Sequence, residues 1–261
     1  MKTIESLGEW RQLSNQVEGR VGFVPTMGAL HSGHTSLIKE CKRENAFTVV
    51  SIFVNPTQFD DPDDFSEYPK VLAEDIGLCE ELEVDVLLLP TKDELYADNY
   101  RYKLLETDFS RDLCGAHRKD HFSGVLTIVM KLLNLVKPDA AYFGEKDYQQ
   151  YSLIKDMCLA FFMDIEIISC PTVRENDGLA KSSRNRKLDR RGRKIAGEIN
   201  RLIGSVMSDR EIEKELEHLG FDVDYVRSIG GRRFVAARIV CGGSEVRLID
   251  NMIVPGNVSS L

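Results

Sequence analysis

The most constraining feature of this chain is a repeated alternation of short apolar runs with longer amphipathic stretches. Each apolar run has the length of a buried strand, and each following stretch has the spacing of apolar side chains typical of a helix. Residues 47–54 are nearly continuous in β-branched and apolar side chains, as parallel strands covered on both faces require. We therefore predict an α/β fold built on a doubly wound parallel sheet. The predicted strands are 21–25, 47–54, 85–90, 140–143 and 165–173, and the predicted helices are 34–45, 70–83, 123–136 and 148–162.

The composition changes after residue 173. Between residues 181 and 194 eight side chains are Lys or Arg and only Asp189 is acidic. A helical stretch to about residue 219 follows, and then three predicted strands around 225, at 234–240 and at 246–249. We therefore predict two domains, a nucleotide-binding domain at 1–173 and a smaller α+β domain at 174–261. Within the first domain we also expect a loop at 60–68 and a short strand at 100–106.

Residues 21–34 predict an anion site. An apolar strand leads into a glycine-containing turn, and the next helix begins near two histidines, His31 and His34. Free backbone N–H groups and the positive end of the helix dipole favour phosphate at such a junction. Two imidazoles three residues apart add further hydrogen-bond donors. The alternative is a polar helix cap with an exposed histidine.

Further polar turns follow the other predicted strands. In an open parallel sheet, ligands bind at the carboxyl ends of the strands. Several weak signals at that edge therefore support one another. The four segments are 27–34, 55–59, 144–150 and the stretch after Val173.

Individual side chains in these turns suit ATP and a small polar acid. Lys146 offers charge to a phosphate, Asp147 offers a carboxylate to a ribose hydroxyl or a metal ion, and Gly144 leaves space. Gln58 and Gln150 offer amides to a hydroxyl or a carboxylate. An ordinary surface turn and solvated loop residues remain the alternatives.

The basic segment begins with two hydroxyls and a guanidinium that can bind a triphosphate. These are Ser182, Ser183 and Arg184, preceded by Lys181. The same composition also fits a solvated basic face or an RNA-binding run. The formal net charge of −8 argues against a general nucleic-acid binder.

Two further classes of site are less favoured. Cys114, His117 and His121 have the spacing of three zinc ligands, but Arg118 and Lys119 lie between them and suit a phosphate better than a cation. The six cysteines form no CxxC pair and lie mostly in apolar runs, which predicts buried, reduced thiols. No apolar run has membrane-spanning length, and we expect a cytoplasmic protein without a membrane partner.

Beyond these residue-level arguments, the motif His31-x-Gly-His34 resembles the HxGH motif of nucleotidylyltransferases and class I aminoacyl-tRNA synthetases. A second, longer pattern is carried by six blocks, at residues 24–34, 51–59, 121–125, 142–150, 177–185 and 247–251. Through these blocks nearly the whole chain resembles the pantoate–beta-alanine ligase family. That resemblance implies a Rossmann-like domain with a smaller C-terminal lid domain, usually in a homodimer.

The resemblance also implies a reaction. ATP and pantoate would form pantoyl adenylate and pyrophosphate, and beta-alanine would then give pantothenate and AMP, with Mg²⁺ accompanying ATP. Catalytic roles would fall to His34 as proton donor and to His31, Lys146 and Arg184 on the phosphates. ATP would be bound by Met27, Gly28, Ala29, Leu30, His31, Ser32, Gly33, His34, Gly144, Glu145, Lys146, Asp147, Val173, Lys181, Ser182, Ser183 and Arg184.

Other positions carried over by resemblance concern the remaining substrates and the metal. Gln58, Gln150 and Arg118 would bind pantoate, Gln58 would also serve beta-alanine, and Asp75 would lie near the metal. Lys181 departs from the family, which usually has an apolar residue there, and the region after residue 194 is shorter than is typical. The alternative function is another HxGH adenylyl- or cytidylyltransferase with a different acceptor.

Overall fold

The structure is a computed structural model that describes residues 1–254. It divides into two compact units. Unit 1 comprises Met1–Gly144 and Gln149–Cys170, and unit 2 comprises Glu145–Tyr148 and the chain from Pro171 onward. In the sequence, the short segment Glu145–Tyr148 therefore lies between the two stretches of unit 1, but it belongs to unit 2.

Unit 1 is built on a six-stranded, fully parallel sheet with the strand order β1-β4-β3-β2-β5-β6. The order reverses direction between β2 and β5, and such a switch point is where a doubly wound sheet binds its ligand. The predicted doubly wound α/β fold is confirmed. The strands are β1 (Lys2–Ile4), β2 (Val21–Thr26), β3 (Phe47–Ile52), β4 (Val86–Leu88), β5 (Ala140–Gly144) and β6 (Glu166–Cys170).

Helices connect and cover these strands. The longest, α7, buries eleven of its sixteen residues, because apolar side chains surround most of its circumference. One core cluster packs α2 and α4 against the central strands. The helices of this part of the chain are α1 (Leu7–Ser14), α2 (Ser32–Glu44), α3 (Pro62–Ser66), α4 (Leu72–Glu81), α5 (Lys92–Leu95), α6 (Cys114–His117), α7 (His121–Val136) and α8 (Tyr148–Ala160).

Two local predictions in unit 1 were wrong. The segment 100–106, predicted as a short strand, joins neither sheet of the described chain, although it contains aromatic and apolar side chains. The predicted loop at 60–68 contains α3, because Asp61 caps its start by accepting a hydrogen bond from the Asp63 amide, with Pro62 at the first helical position.

Unit 2 contains a three-stranded antiparallel sheet with the order β7-β8-β9 and full-length hairpin pairing between β8 and β9. Its core lies between this sheet and three helices. The elements are α9 (Arg190–Ala196), α10 (Glu198–Ile203), α11 (Asp209–His218), β7 (Asp222–Ile229), β8 (Arg232–Cys241) and β9 (Ser244–Ile253). The three C-terminal strands expected from the sequence are thus confirmed, with longer bounds.

Two further features concern the cysteines and the helices of the chain. All six cysteines are buried and free, as predicted. Within residues 1–254, no helix combines the length and the apolar character needed to cross a bilayer.

Candidate active site

The turn between β2 and α2 holds His31 and His34 in a reciprocal cap at the helix start. The Gly33 amide donates to His31 Nδ1 at 3.1 Å, and the His31 amide donates to His34 Nδ1 at 3.3 Å. The two ring centroids are 4.2 Å apart. The alternative interpretation, a polar helix cap, therefore describes the local structure of this turn. Both histidines form the cap.

This cap fixes the protonation pattern of both rings. A ring nitrogen that accepts an amide hydrogen carries no proton, so the single proton of a neutral imidazole lies on the other nitrogen. In both His31 and His34 that nitrogen is Nε2. Each neutral ring therefore keeps its place in the cap through Nδ1 and carries its proton on Nε2.

The backbone of this turn differs from the expectation of free amides. The Gly28 amide donates to Thr26 Oγ1 at 3.1 Å. Asp75 accepts from the Ala29 amide at 2.9 Å and from the Leu30 amide at 2.7 Å. With the two amides of the histidine cap, five N–H groups between residues 28 and 33 are already bonded inside the protein. The imidazoles, rather than a cradle of backbone amides, are thus the donors that the turn presents.

Asp75 shapes the turn from helix α4. Its side chain is buried, and its two oxygens each accept one backbone amide. Gly28 and Ala29 both adopt left-handed backbone angles, with φ of 78° and 50°, and a Cβ on Gly28 would lie 2.9 Å from Asp75 Oδ2. These contacts give the carboxylate a structural partner other than a metal ion, and a metal-binding role for Asp75 stays a prediction.

Gln58 lies in a short 3₁₀ helix, Pro56–Gln58, just past β3, and its amide is oriented by Asn55. Asn55 Nδ2 donates to Gln58 Oε1 at 3.0 Å and to the Gly124 carbonyl at 3.2 Å. Since Oε1 is held in this way, Gln58 presents its Nε2 hydrogens as the donor for a ligand.

Asn55 is itself fixed by an aromatic hydroxyl. Tyr96 donates from its hydroxyl to Asn55 Oδ1 at 2.7 Å. Burial raises the pKa of Tyr96 to about 12, so the hydroxyl keeps its proton at neutral pH. A Cβ on Gly124 would lie 2.3 Å from the Thr57 carbonyl oxygen, which explains why a glycine occupies this helix position.

Arg118 and His121 hold the same segment from the other side. His121 Nδ1 lies 2.6 Å from the Gln58 carbonyl oxygen, and Arg118 donates to that oxygen at 3.3 Å and to His121 Nε2 at 3.0 Å. Arg118 Nε also donates to Asp60 at 2.8 Å. Burial acts to raise the pKa of Asp60, but the charge and hydrogen bond of Arg118 outweigh it and the net pKa is lowered.

The alternative zinc site is not formed. Both ring nitrogens of His121 face protein partners, and His117 is exposed to solvent. Within the described 254 residues, no three His, Cys, Asp or Glu side chains converge in an arrangement that holds a metal ion.

Gln150 and Gln149 differ in surroundings although they are adjacent. Gln150 is half-buried in the first turn of α8. Gln149 is buried, and its Nε2 donates to the carbonyls of Phe109 and Asp112, both at 2.8 Å. Its Oε1 accepts from the Cys114 amide at 3.1 Å. Gln149 thus anchors the loop that leads to Arg118.

Within unit 2, the ATP residues predicted from the sequence fall into two segments. Lys146 lies in the 3₁₀ turn Glu145–Asp147, with its Nζ 3.5 Å from Asp147 Oδ1. Lys181 pairs with Glu175 at 2.8 Å, and its amide donates to the Val173 carbonyl at 2.9 Å.

The residues after Lys181 begin a second 3₁₀ helix, Ser183–Lys187. Ser182 caps it by accepting the Arg184 amide at 3.3 Å, and Ser182, Ser183 and Arg184 are all half-buried. The Lys181 ammonium group therefore forms an ion pair with a carboxylate, whereas Ser182, Ser183 and Arg184 lie at the start of the 3₁₀ helix.

Sequence reasoning did not assign a role to several polar residues that organise this machinery. Asn55 and Gln149 are neighbours of predicted ligands, and Asn251 is buried in β9. A usable signal for Asn55 was its place directly after β3 and before a proline, where asparagine favours capping. Asn251 carried no comparable local signal, because its partners are more than a hundred residues away.

Comparisons with known proteins agree over the whole described chain. The sequence model of the family described as pantoate-beta-alanine ligase matches residues 1–253. The pantothenate synthetase of Bdellovibrio bacteriovorus is 50% identical over 251 residues, which are 96% of this chain and 98% of that protein. The pantothenate synthetase of Legionella pneumophila strain Lens is 50% identical over 256 residues, covering 97% and 100%.

Solved structures give the same result. A crystal structure of pantoate-beta-alanine ligase from Francisella tularensis, in complex with beta-gamma ATP and beta-alanine, superposes with a TM-score of 0.90 at 40% identity. It covers 97% of both chains. The pantothenate synthetase of Thermus thermophilus superposes with a TM-score of 0.87 at 38% identity, covering 98% of this chain and 100% of that one.

Proposed function

The chain belongs to the pantoate-beta-alanine ligase family and is an ATP-using ligase that produces pantothenate; on that premise we propose that its histidine cap drives the first chemical step. In this step a pantoate carboxylate oxygen attacks the α-phosphorus of ATP. The new P–O bond gives pantoyl adenylate, and the bond to the β-phosphate breaks to release pyrophosphate. Negative charge builds on the phosphate oxygens and on the leaving group, where positioned donors are most effective.

The observation that carries this proposal is the tautomer of the two rings. Both imidazoles accept a backbone amide at Nδ1, so the proton of each neutral ring lies on Nε2. Such donors stabilise phosphate charge without being reoriented during the reaction, which makes preorganised electrostatics the main contribution. His34 would serve as the proton-donating group and His31 as its neighbour on the phosphates.

The second step transfers the acyl group. A neutral beta-alanine amine attacks the pantoyl carbonyl, the bond to AMP breaks, and the amine loses its proton as the amide forms. We assign Gln58 to pantoate and beta-alanine and Gln150 to pantoate. The orientation of Gln58 by Asn55 supports this role, because the Nε2 hydrogens of Gln58 suit a carboxylate or a hydroxyl oxygen. The contacts of Arg118 with the Gln58 segment support an indirect contribution to the same substrate.

ATP binding involves both segments of unit 2 in this proposal. Lys146, Ser182, Ser183 and Arg184 bind phosphates, and Asp147 binds a ribose hydroxyl. Main-chain and side-chain contacts to the nucleotide come from Met27, Gly28, Ala29, Leu30, Ser32, Gly33, Gly144, Glu145, Val173 and Lys181. The motif resemblance supports these assignments, and the ion pair of Lys181 with Glu175 makes its backbone the better candidate for contact.

Magnesium accompanies ATP in this proposal. Mg²⁺ keeps several waters and is usually held by one or two carboxylates together with substrate phosphates. We propose that the ion is held mainly by the phosphates of ATP. When bound, Mg²⁺ neutralises part of the phosphate charge.

The cytoplasmic location expected from the sequence stays a prediction.

The test is pyrophosphate release from Mg²⁺ and ATP with pantoate present and beta-alanine absent, followed by mass analysis of the bound product. We expect pantoyl adenylate. Release with a different acceptor, and none with pantoate, would contradict the substrate assignment. A Gln150→Ala variant should weaken pantoate much more than ATP, while the surface variant Gln16→Ala should change neither.

We also propose that the protein forms a homodimer. The family resemblance supports this, and the exposed side chains of Tyr102 and Leu105, 71% and 69% accessible, lie in a segment that belongs to neither sheet. Light scattering should give twice the mass of the chain. A monomer at the concentrations of the assay would contradict the proposal.

A further inference from the structure

The turn that carries Lys146 is held by a residue near the other end of the chain. Asn251 lies on β9, and its Nδ2 donates to the carbonyl oxygens of Glu145 and Lys146, both at 2.9 Å. Both amide hydrogens of this side chain are therefore used on the two peptide units that flank the Lys146 Cα. All three residues belong to unit 2.

Asn251 is fixed by its own neighbours. It is 3% exposed, and its Oδ1 accepts a hydrogen bond from Arg232 at 2.5 Å. The Arg232 guanidinium also lies 3.9 Å from the centre of the Tyr148 ring and 3.7 Å from Glu145 Oε2. The guanidinium thus contacts both ends of the turn while it orients the amide.

The strand position of Asn251 is secured by a second ion pair. Arg174 forms a bidentate ion pair with Asp250 at 2.6 and 3.0 Å, and the backbone amide of Asn251 donates to Asp250 Oδ1 at 2.8 Å. Charge-assisted, bidentate pairs of this kind have a defined geometry. The side-chain amide of Asn251 therefore contacts the Lys146 turn from a strand and not from a loop.

From this arrangement we infer that Asn251 is a positioning residue for Lys146 and that Arg232 orients it. The inference rests on the proposed function, in which Lys146 binds the phosphates of ATP. A lysine has a long, flexible side chain, so the location of its ammonium group depends on where the backbone starts it. Two hydrogen bonds to the flanking carbonyls set both the position and the direction of that start.

The test compares Asn251→Asp with the wild type in the full-length enzyme. The carboxylate has nearly the same shape and keeps an acceptor for Arg232, but it places one acceptor oxygen, in place of an N–H₂ donor, against the two carbonyls. We expect the kcat/KM of adenylation, measured as pyrophosphate release, to fall about 100-fold, because a misplacement of about 1 Å has that effect. The exposed Asn134→Asp variant is the matched control and should retain wild-type activity.

A double-mutant cycle separates positioning from general structure. In a Lys146→Ala background, Asn251→Asp should lower the remaining activity by no more than about twofold, since its effect acts through the lysine. A full 100-fold loss in that background would overturn the positioning role. Lys146→Ala with undiminished adenylation would instead refute the proposed function of Lys146.

A second variant covers the case in which Asn251→Asp lowers the melting temperature too far for assay. Arg232→Lys leaves the asparagine amide in place but removes the fork that orients it, and about tenfold loss is expected from one hydrogen bond to a charged group. The same cycle with Lys146→Ala applies. Independent, multiplicative losses for this pair would also overturn the inference.

Discussion

The histidine cap allows the structural and chemical roles of His34 to be separated with one substitution. In His34→Asn, the side-chain oxygen takes the place of Nδ1 and can still accept the His31 amide, now 3.3 Å from the ring nitrogen. The Nε2–H group of the ring is lost. His34→Ala removes both functions and provides the comparison.

The expected magnitudes follow from these contacts. Loss of one preorganised transition-state donor costs about 2.7–4 kcal/mol, or about 100- to 1,000-fold in rate. Loss of a cap lowers the free energy of unfolding by about 0.5–2 kcal/mol, and a bond as long as 3.3 Å places this case at the lower end. His34→Asn should therefore lose activity with little change in stability, and His34→Ala should lose both.

Single-turnover pyrophosphate release without beta-alanine measures the chemical step, and urea unfolding measures the stability. His218→Asn, on the exposed end of α11, controls for the substitution itself. Adenylation by His34→Asn within a fewfold of the wild type would refute the donor role. Equal loss of stability in the asparagine and alanine variants would refute the cap argument.

Three other perturbations test separate parts of the molecule. The pKa of Asp60 is lowered in the folded protein, so its stabilising contribution is present above its unfolded pKa, about 3.9, and is lost as the pH falls through the folded pKa. Measured by urea unfolding, the Asp60→Asn variant should therefore lose less stability between pH 7 and pH 3 than the wild type. An identical loss would contradict the assignment. Gly124→Ala places a methyl group against the Thr57 carbonyl and should cost about 1–3 kcal/mol of stability and weaken pantoate in a binding titration more than ATP. Phe162 is 96% exposed with φ of 54°, so Phe162→Gly should raise the unfolding free energy by about 0.5–1 kcal/mol, whereas Phe161→Gly, the control, should not.

The sequence predicted the elements that local patterns encode. The β-branched run at 47–54 became β3 (Phe47–Ile52), and the alternation of strands and helices gave the parallel sheet. The strand predicted at 100–106 contains Tyr102, Leu104 and Leu105 between charged side chains, but no strand within residues 1–254 pairs with this segment. A strand needs a partner as well as a propensity, and the partner is not written locally.

The site could be predicted only in part for a similar reason. His31, His34 and Gln58 follow strands directly, so their place at the sheet edge could be read from the chain order. The use of the turn amides by Asp75 could not, because that carboxylate reaches them from a helix 45 residues away. Side chains that organise ligands from a distance have no periodicity, and only the folded structure identifies them.

The contacts of Asn251 have a consequence for the order in which the protein becomes competent during synthesis. Its partner carbonyl on Lys146 leaves the ribosome 105 residues earlier, so these two hydrogen bonds cannot form until β9 has been made. Most of unit 1 can form while the turn still lacks its anchor. If Lys146 binds phosphate as proposed, a nascent or prematurely ended chain would carry this lysine without its anchor, and full adenylation would require the last strand.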